Sequence, residues 1–224
     1  MGSLSFLRVI PFRPFFLGLL IFLSVSAAAQ DNSADRMPED PVELRSLFLP
    51  ENLQPFAGSD MFLPLSSESS VPPVDFLRSS YEIMNIDETS RVCIIGKATG
   101  FAAAFFAGTS ADIFVAEFDS SQNEKNLQVW EELELQNISS ITYPDFFGSP
   151  DFKGFDAILV HGTLEEIPWI LPQALAPGGI LLAPLSNTRD LQMTLRIERE
   201  SGGWQISTGT TSFFSNRPID LMAY

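Results

Sequence analysis

Cysteine, histidine and basic residues are scarce in this sequence of 224 residues. Cys93 is the only cysteine and His161 the only histidine. A single cysteine excludes an internal disulfide, and one imidazole without a cysteine pair supplies no zinc-type ligand set, so no metal site is expected. Lys and Arg number 13 against 28 Asp and Glu, which gives a formal charge of −15. Nucleic acids and anionic membrane surfaces are therefore unfavourable partners.

Apolar residues, and phenylalanine above all, are abundant. Hydrophobic residues make up 45% of the chain, which has 20 Phe but only 3 Tyr and 3 Trp. This length and composition predict one hydrophobic core, and the chain is too short for two large domains. Most of the phenylalanines, together with Cys93 in the apolar run VCII, are expected to be buried.

Residues 1–29 have the three parts of a secretory signal peptide. Arg8 and Arg13 precede the apolar run FFLGLLIFLSV, and Ala27 and Ala29 form an Ala-x-Ala cleavage site. We expect cleavage after Ala29 and an exported protein, either periplasmic or secreted. The apolar run is short for a membrane span, so no stable span is expected after cleavage. The alternative is an uncleaved anchor.

The remaining chain changes character near residue 55. Residues 30–55 begin QDNSADRMPEDP, and this acidic text interrupted by proline is typical of a linker or a loosely packed arm, with one helical turn around VELRSLF. From residue 56 to residue 224, short apolar strands alternate with helical patterns. Alternation of this kind predicts a single α/β domain.

The alternating elements define a mostly parallel sheet. Strands are predicted over RVCII, ADIFVAEF, NISSITY, FDAILVHG and PGGILLAPL, with helices over FLRSSYEIMNI, GFAAAFFAG, SQNEKNLQVWEELEL and the proline-interrupted EEIPWILPQAL. The last part, LQMTLRIERESGGWQISTGTTSFF, predicts an antiparallel hairpin that turns at residues 201–203. The whole pattern predicts an α/β fold with a mostly parallel twisted sheet, helices on both faces and a C-terminal antiparallel hairpin.

Candidate binding residues lie at the carboxyl ends of the predicted strands. In RVCIIGKATGFAAAFFAG, a strand enters a turn bounded by Gly96 and Gly100 and continues into a helix of small residues. That order is typical of sites for nucleotide-type cofactors. Glu117, Asp145 and His161 also lie near strand ends. Ligands of open parallel sheets bind at these ends, so the residues are expected to share one edge.

Five segments, in order, resemble the protein-L-isoaspartate O-methyltransferase family. GFAAAFFA is similar to the family's Gly-Tyr-x-Ala-Ala, FVAEF to Val-x-x-Ile-Glu, and YPDFFG lies at its Gly-Asp-Gly. FDAILVHGTLEEIP follows a Phe-Asp-Ala-Ile-x-Val run that ends in Ile-Pro, and QALAPGGILLAPL is similar to Gln-Leu-Lys-Pro-Gly-Gly-Arg-Leu-Val-x-Pro-Val. The resemblance runs from about Asp60 to Pro218. It implies a Rossmann-like methyltransferase fold, S-adenosylmethionine as methyl donor, and damaged proteins or peptides with isoaspartyl residues as substrates.

The resemblance also implies site residues. It places Ser70, in SSVPP, at the family's active-site serine, and assigns Gly96, Gly100, Glu117 and Asp145 to the cofactor. A carboxylate at Glu117 offers two acceptor oxygens to the ribose hydroxyls. Each assignment has a plainer alternative: Glu117 as a solvated loop acid, Asp145 as a turn residue, and Ser70 as one of the several serines around SSESS.

Three residues depart from the family's loop, Leu-Glu-Ile-Gly-Thr-Gly-Ser-Gly-Tyr. Ile94 replaces the acid that helps to hold the amino-acid end of the cofactor. Ala98 adds a methyl group where backbone must approach the ligand closely or adopt a positive φ. Lys97 places a cation beside a positively charged methyl donor, unless it points to solvent or meets the donor's carboxylate.

Three functions stay open after these departures. The first is an isoaspartyl or related carboxyl methyltransferase. The second is an exported, catalytically inactive relative that acts as a binding or scaffold protein. The third is a methyltransferase-like domain that holds a different small ligand, with Lys97 binding an anion.

Overall fold

The computed structural model describes residues 40–110, 112–141, 146–186 and 192–210. Its α-helices are α1 (Pro41–Leu47), α2 (Val74–Ile83), α3 (Gly100–Ala107), α4 (Ser120–Glu132) and α5 (Ile170–Gln173), with a 3-10 turn at Gln54–Phe56. Its strands are β1 (Leu63–Pro64), β2 (Ser70–Val71), β3 (Arg91–Gly96), β4 (Asp112–Glu117), β5 (Ile138–Ser140), β6 (Phe155–His161), β7 (Leu175–Ser186), β8 (Gln192–Glu200) and β9 (Gly203–Thr210).

Strands β3 to β9 form one sheet in the order β5-β4-β3-β6-β7-β8-β9. The neighbours from β5 to β7 pair in parallel, whereas β7-β8 and β8-β9 pair antiparallel. The predicted α/β fold with a mostly parallel sheet and a C-terminal hairpin is therefore confirmed. Because the chain moves outward from β3 through β4 to β5 and then returns to β6, the order reverses beside β3. Such a reversal is where open α/β sheets bind ligands.

Helices cover both faces of the sheet, as the apolar strand sequences require. On β3, Val92 and Ile94 join the cluster beneath α1 to α4, whereas Cys93 and Ile95 join the opposite cluster, which includes Leu171 of α5. A strand buried on both faces reads as a continuous apolar run. Cys93 is fully buried, and burial raises the pKa of its thiol well above the usual range, so the thiol is unreactive.

The described part of the expected linker, residues 40–55, contributes to the core. Asp40 caps α1 by accepting from the backbone N–H of Val42. Leu44 and Arg45 are fully buried, and Phe48 is nearly so. The Leu44–Phe48 spacing places two apolar side chains on one face of the helix. That apolar face explains why this acidic, proline-containing segment packs.

Arg45 ties α1 to the segment that leads into β2. Its guanidinium donates hydrogen bonds to four backbone carbonyl groups, those of Ala57, Ser59, Met61 and Val71. Val71 directly follows Ser70, so this buried side chain helps to position the candidate serine. Within the ranges that the structure describes, no helix is long and apolar enough to cross a membrane.

Candidate functional site

Three candidate residues lie side by side at the carboxyl edge of the sheet. In the parallel register, Gly96 of β3 is opposite Glu117 of β4 on one side and His161 of β6 on the other. The sequence predicts each of these residues at a strand end, and the structure brings them together at the point where the strand order reverses. The positions of these three residues are thus set by backbone pairing between neighbouring strands.

The turn between β3 and α3 keeps a compact backbone despite its substitutions. Gly96 has φ +146°, and a Cβ at this position would lie 1.9 Å from the carbonyl oxygen of His161. At Gly100 a Cβ would lie 2.1 Å from Oδ1 of Asn126, where α3 packs against α4. Ala98 adopts φ +58°, a conformation that favours glycine. Both retained glycines therefore have structural reasons to be glycine.

Glu117 is buried and holds the turn. It is 2% exposed. One carboxylate oxygen accepts from the backbone N–H and the hydroxyl of Thr99, at 2.9 and 2.8 Å, and the other accepts from the N–H of Asp119 at 3.1 Å. Burial raises the pKa of the Glu117 carboxyl, and these hydrogen bonds oppose the rise. Thr99, which the sequence analysis did not single out, is therefore part of the site.

Two hydrogen bonds hold Lys97 and His161 against each other. The backbone N–H of Lys97 donates to the carbonyl of His161 at 3.4 Å, and Nδ1 of His161 donates to the carbonyl of Lys97 at 2.6 Å. Since a carbonyl only accepts, the proton is on Nδ1 and Nε2 is left as an acceptor. Burial lowers the pKa of His161 to about 4, so the ring is neutral at pH 7. Nε2 has no hydrogen-bond partner among the described residues.

Ser70 meets Lys97 and His161 around a small cavity. Its volume is about 10 Å³, enough for a single water molecule. The cavity is lined by Phe62, Glu68, Ser69, Ser70, Lys97, His161 and Gly162. Nζ of Lys97 lies 2.5 Å from a carboxylate oxygen of Glu68. This ion pair joins the β1–β2 hairpin, which carries Ser70, to the glycine turn, and no pattern in the sequence indicates it.

Two other predicted features lie apart from this cavity. Ile94 is fully buried in the core, paired with Val115 and Leu159 on the neighbouring strands. Asp145, which the resemblance assigns to the cofactor, lies outside the described residues. In the described ranges, no group of three or more His, Cys, Asp or Glu side chains is close enough to hold a metal ion.

The residues present fit a nucleotide-type methyl donor in most respects. The turn keeps the positive φ at Ala98 and the close backbone approach at Gly96. The Glu117 carboxylate lies beside the turn, where its oxygens accept from Thr99 and Asp119, and a ribose hydroxyl would have to share one of these oxygens. The departure is at Ile94, which supplies no acceptor for an ammonium group.

Comparison with solved structures places the fold among methyltransferases. A structure named as a protein-L-isoaspartate O-methyltransferase superposes with a TM-score of 0.68 at 20% identity, covering 83% of this chain and 61% of that one. A second, from Plasmodium falciparum and named as an enzyme of the same kind in complex with S-adenosyl-L-homocysteine, gives a TM-score of 0.63 at 18% identity, over 82% of this chain and 93% of that one. At these identities the likeness shows the fold alone.

Sequence comparison shows the family. The family model described as protein-L-isoaspartate(D-aspartate) O-methyltransferase matches residues 28–214. A protein-L-isoaspartate O-methyltransferase of Roseiflexus sp. is 30% identical over 81% of this chain and 82% of its own length. A second, from Anaeromyxobacter sp., is 28% identical over 83% of this chain and 91% of its own. These matches confirm the resemblance noted in the sequence: the chain belongs to the protein-L-isoaspartate O-methyltransferase family.

Proposed function

We propose that this protein transfers a methyl group from S-adenosylmethionine to a carboxylate of a protein or peptide that contains an isoaspartyl residue. The observation that carries the proposal is the family match over residues 28–214. The site supports it, because Gly96, Glu117 and His161 are in register and the Ser70 cavity lies beside the turn.

Each side chain has a binding or orienting role in this proposal. The turn from Gly96 to Gly100, the Glu117 carboxylate and, beyond the described residues, Asp145 would hold the methyl donor. When bound, the donor supplies an activated methyl group. The Ser70 hydroxyl would donate a hydrogen bond to the substrate carboxylate. A carboxylate is already ionised at neutral pH, so the site needs no strong base and acts by proximity and orientation.

Methyl donor binding and methyl transfer test this proposal separately. Calorimetric titration of residues 30–224 with S-adenosylmethionine and S-adenosylhomocysteine should give micromolar dissociation constants. Methylation of an isoaspartyl peptide should then be compared with its aspartyl isomer as control. Ser70→Ala should lower the rate more than Ser69→Ala. Donor binding together with equal rates on the two isomers would rule out the isoaspartyl assignment.

Export is part of the proposal. The family model matches from residue 28, so the proposed signal peptide, residues 1–29, lies almost entirely outside the matched region. Residues 30–224 would form the exported protein, in which residues 40–55 pack against the methyltransferase domain. Expression of the full chain followed by fractionation and N-terminal mass determination should give a mature protein that begins at Gln30. Retention of residues 1–29 in a membrane fraction would instead support an uncleaved anchor.

A catalytically inactive binding or scaffold protein is the second candidate. The observations for it are the burial of Ile94 at the position of the family's acid and the internal hydrogen bonds of Glu117. The family comparisons favour the active enzyme. A folded chain that fails to bind either adenosyl ligand at millimolar concentration would reverse that preference.

A further inference from the structure

Resting on the proposed function, we propose that Lys97 is the residue that binds the substrate carboxylate, and that Glu68 is an internal carboxylate which the substrate displaces. In the structure Lys97 and Glu68 both line the cavity beside Ser70, and the Lys97 ammonium pairs with the Glu68 carboxylate at 2.5 Å. A substrate carboxylate carries the same charge and the same acceptor geometry as the Glu68 side chain. The substrate carboxylate can therefore pair with the Lys97 ammonium in place of Glu68.

The position of Lys97 is fixed from both sides. Its N–H donates to the backbone of His161, and its carbonyl accepts from the His161 ring. The Lys97 side chain is only 15% exposed, so most of it, unlike that of a surface lysine, is shielded from bulk water. A partly desolvated ammonium with a fixed backbone is a stronger carboxylate ligand than a mobile surface lysine.

The Glu68 carboxylate, in contrast, lies where a substrate can displace it from Lys97. It lies on the turn between β1 and β2, and its side chain is 51% exposed. The turn is closed by other groups: the N–H groups of Leu65 and Ser66 donate to the carbonyl of Ser69, and the hydroxyls of Ser66 and Ser69 are 2.8 Å apart. Rotation of the Glu68 carboxylate into solvent would leave these hydrogen bonds of the turn intact.

The size of the cavity makes the two carboxylates mutually exclusive. About 10 Å³ is left beside Ser70 while Glu68 is in place, which admits one water molecule and no carboxylate. Removal of the Glu68 carboxylate opens the space that it fills. The incoming carboxylate would then lie between the Lys97 ammonium and the Ser70 hydroxyl, where both can donate to it.

The other charged groups at the site leave this preference for an anion intact. His161 is neutral at pH 7 because burial lowers its pKa to about 4, so it adds no charge of either sign. The pKa of Asp119 is lowered by hydrogen bonds from Ser121 and, to a smaller extent, by the charge of Lys97. The amino-acid end of the methyl donor also carries a carboxylate. Ser70, which is proposed to donate to the substrate, lines the same cavity. We therefore assign the bound carboxylate to the peptide rather than to the methyl donor.

The test is binding of an isoaspartyl peptide compared with the same peptide in which the free carboxylate is an amide. Fluorescence anisotropy with a labelled peptide measures both without any methyl transfer. Glu68→Gln should tighten binding of the carboxylate peptide by about two- to fivefold, as expected for loss of a competing surface ion pair. The amide peptide must displace the same side chain without pairing with Lys97, so it should bind more weakly than the carboxylate peptide to both proteins.

Lys97→Met should abolish the preference for the carboxylate over the amide, a loss of about ten- to a hundredfold for a hydrogen bond to a charged group. Lys97→Arg should retain the preference. Asp75→Asn and Arg78→Met, which break an exposed ion pair elsewhere, are the matched controls and should have no effect. If Lys97→Met is poorly folded by circular dichroism, Glu68→Gln decides by itself: unchanged binding of the carboxylate peptide overturns the proposal.

A second set of titrations identifies the source of the carboxylate. S-adenosylhomocysteine is compared with 5′-methylthioadenosine, which lacks the amino-acid end. If Lys97→Met weakens only S-adenosylhomocysteine and leaves the peptide unchanged, Lys97 binds the methyl donor and the assignment to the peptide is wrong. Absence of methyl transfer by the unaltered protein would overturn the proposed function but not the peptide measurement, so the two failures are distinguishable.

Discussion

Acidification should destabilise this protein through one identifiable group, His161. The ring is 3% exposed, and Nδ1 donates to the carbonyl of Lys97. Burial lowers its pKa from 6.5 to about 4. In the unfolded chain the imidazole takes up a proton near pH 6.5, whereas in the folded chain it stays neutral until about pH 4. The unfolded state therefore binds more protons in this window, and stability falls as the pH falls through it.

The size of the effect follows from the difference between the two pKa values. At about 1.4 kcal/mol for each pKa unit, the depression from 6.5 to about 4 corresponds to about 3 kcal/mol of folding stability. That stability is fully present above pH 6.5 and is lost by pH 4. For a domain with about 5–15 kcal/mol in total, this is a large share.

The single histidine allows an unambiguous assay. Long-range proton–nitrogen NMR spectra recorded from pH 7.5 to pH 3.5 report both the titration of the ring and its tautomer, without assignment of other resonances. Urea unfolding of the unaltered protein and of His161→Asn at each pH gives the difference in free energy. Asn can still donate to the Lys97 carbonyl but does not titrate, so the difference isolates the imidazole from the carboxylates.

Two results would refute this reasoning. One is a ring that titrates near pH 6.5 in the folded protein, which would mean that solvent reaches it. The other is a stability difference between His161 and His161→Asn that stays constant from pH 6.5 to pH 4. The first result would also mean that, below about pH 6.5, a protonated His161 is a second cation beside the Ser70 cavity.

Three further substitutions test the packing around the site. Arg45→Met removes the donor to four carbonyl groups. In urea unfolding it should lower the free energy of unfolding by about 3–5 kcal/mol. As a control, Arg78→Met at an exposed position should lower it by less than about 1 kcal/mol. Gly100→Ala places a Cβ 2.1 Å from Asn126 and should cost about 1–3 kcal/mol, and an unchanged Tm would contradict this packing. Ile94→Glu buries a carboxylate in the core and should lower the free energy of unfolding by at least about 3 kcal/mol at pH 7. Because burial raises the pKa of the introduced carboxyl, this destabilisation should become smaller towards pH 4. A destabilisation independent of pH would contradict the burial of the carboxylate.

The sheet could be predicted from the sequence because its signals are local. Apolar runs such as RVCII and FDAILVHG mark buried strands, and the hairpin between β8 and β9 follows from residues 201–203. The helical turn at VELRSLF is present as α1, but its packing into the core was obscured because the acidic and proline-containing text around it is typical of a linker. Its Leu44–Phe48 spacing was the available signal, and burial of both side chains shows that spacing outweighed composition.

The site was predictable only in part, because its contacts join distant residues. Strand ends placed Gly96, Glu117 and His161 on one edge, since parallel register follows from the fold. The partners of these residues did not follow from it. The Lys97–Glu68 ion pair joins residues 29 apart, and the His161–Lys97 hydrogen bond joins residues 64 apart. Neither pairing has a periodic pattern, so neither could be read from the sequence.

The turn keeps the backbone conformation of the family, but Ile94 lacks the carboxylate that would bind the ammonium group of the cofactor. The shape depends on backbone, through the close approach at Gly96 and the positive φ at Ala98, and both are present. The acid of the family has been replaced by a side chain that the core accommodates better than a carboxylate. A reversal to glutamate would therefore have to overcome burial before it could bind a ligand. Charge recognition at this edge instead depends on Lys97, a cation, and a site with that charge selects carboxylates.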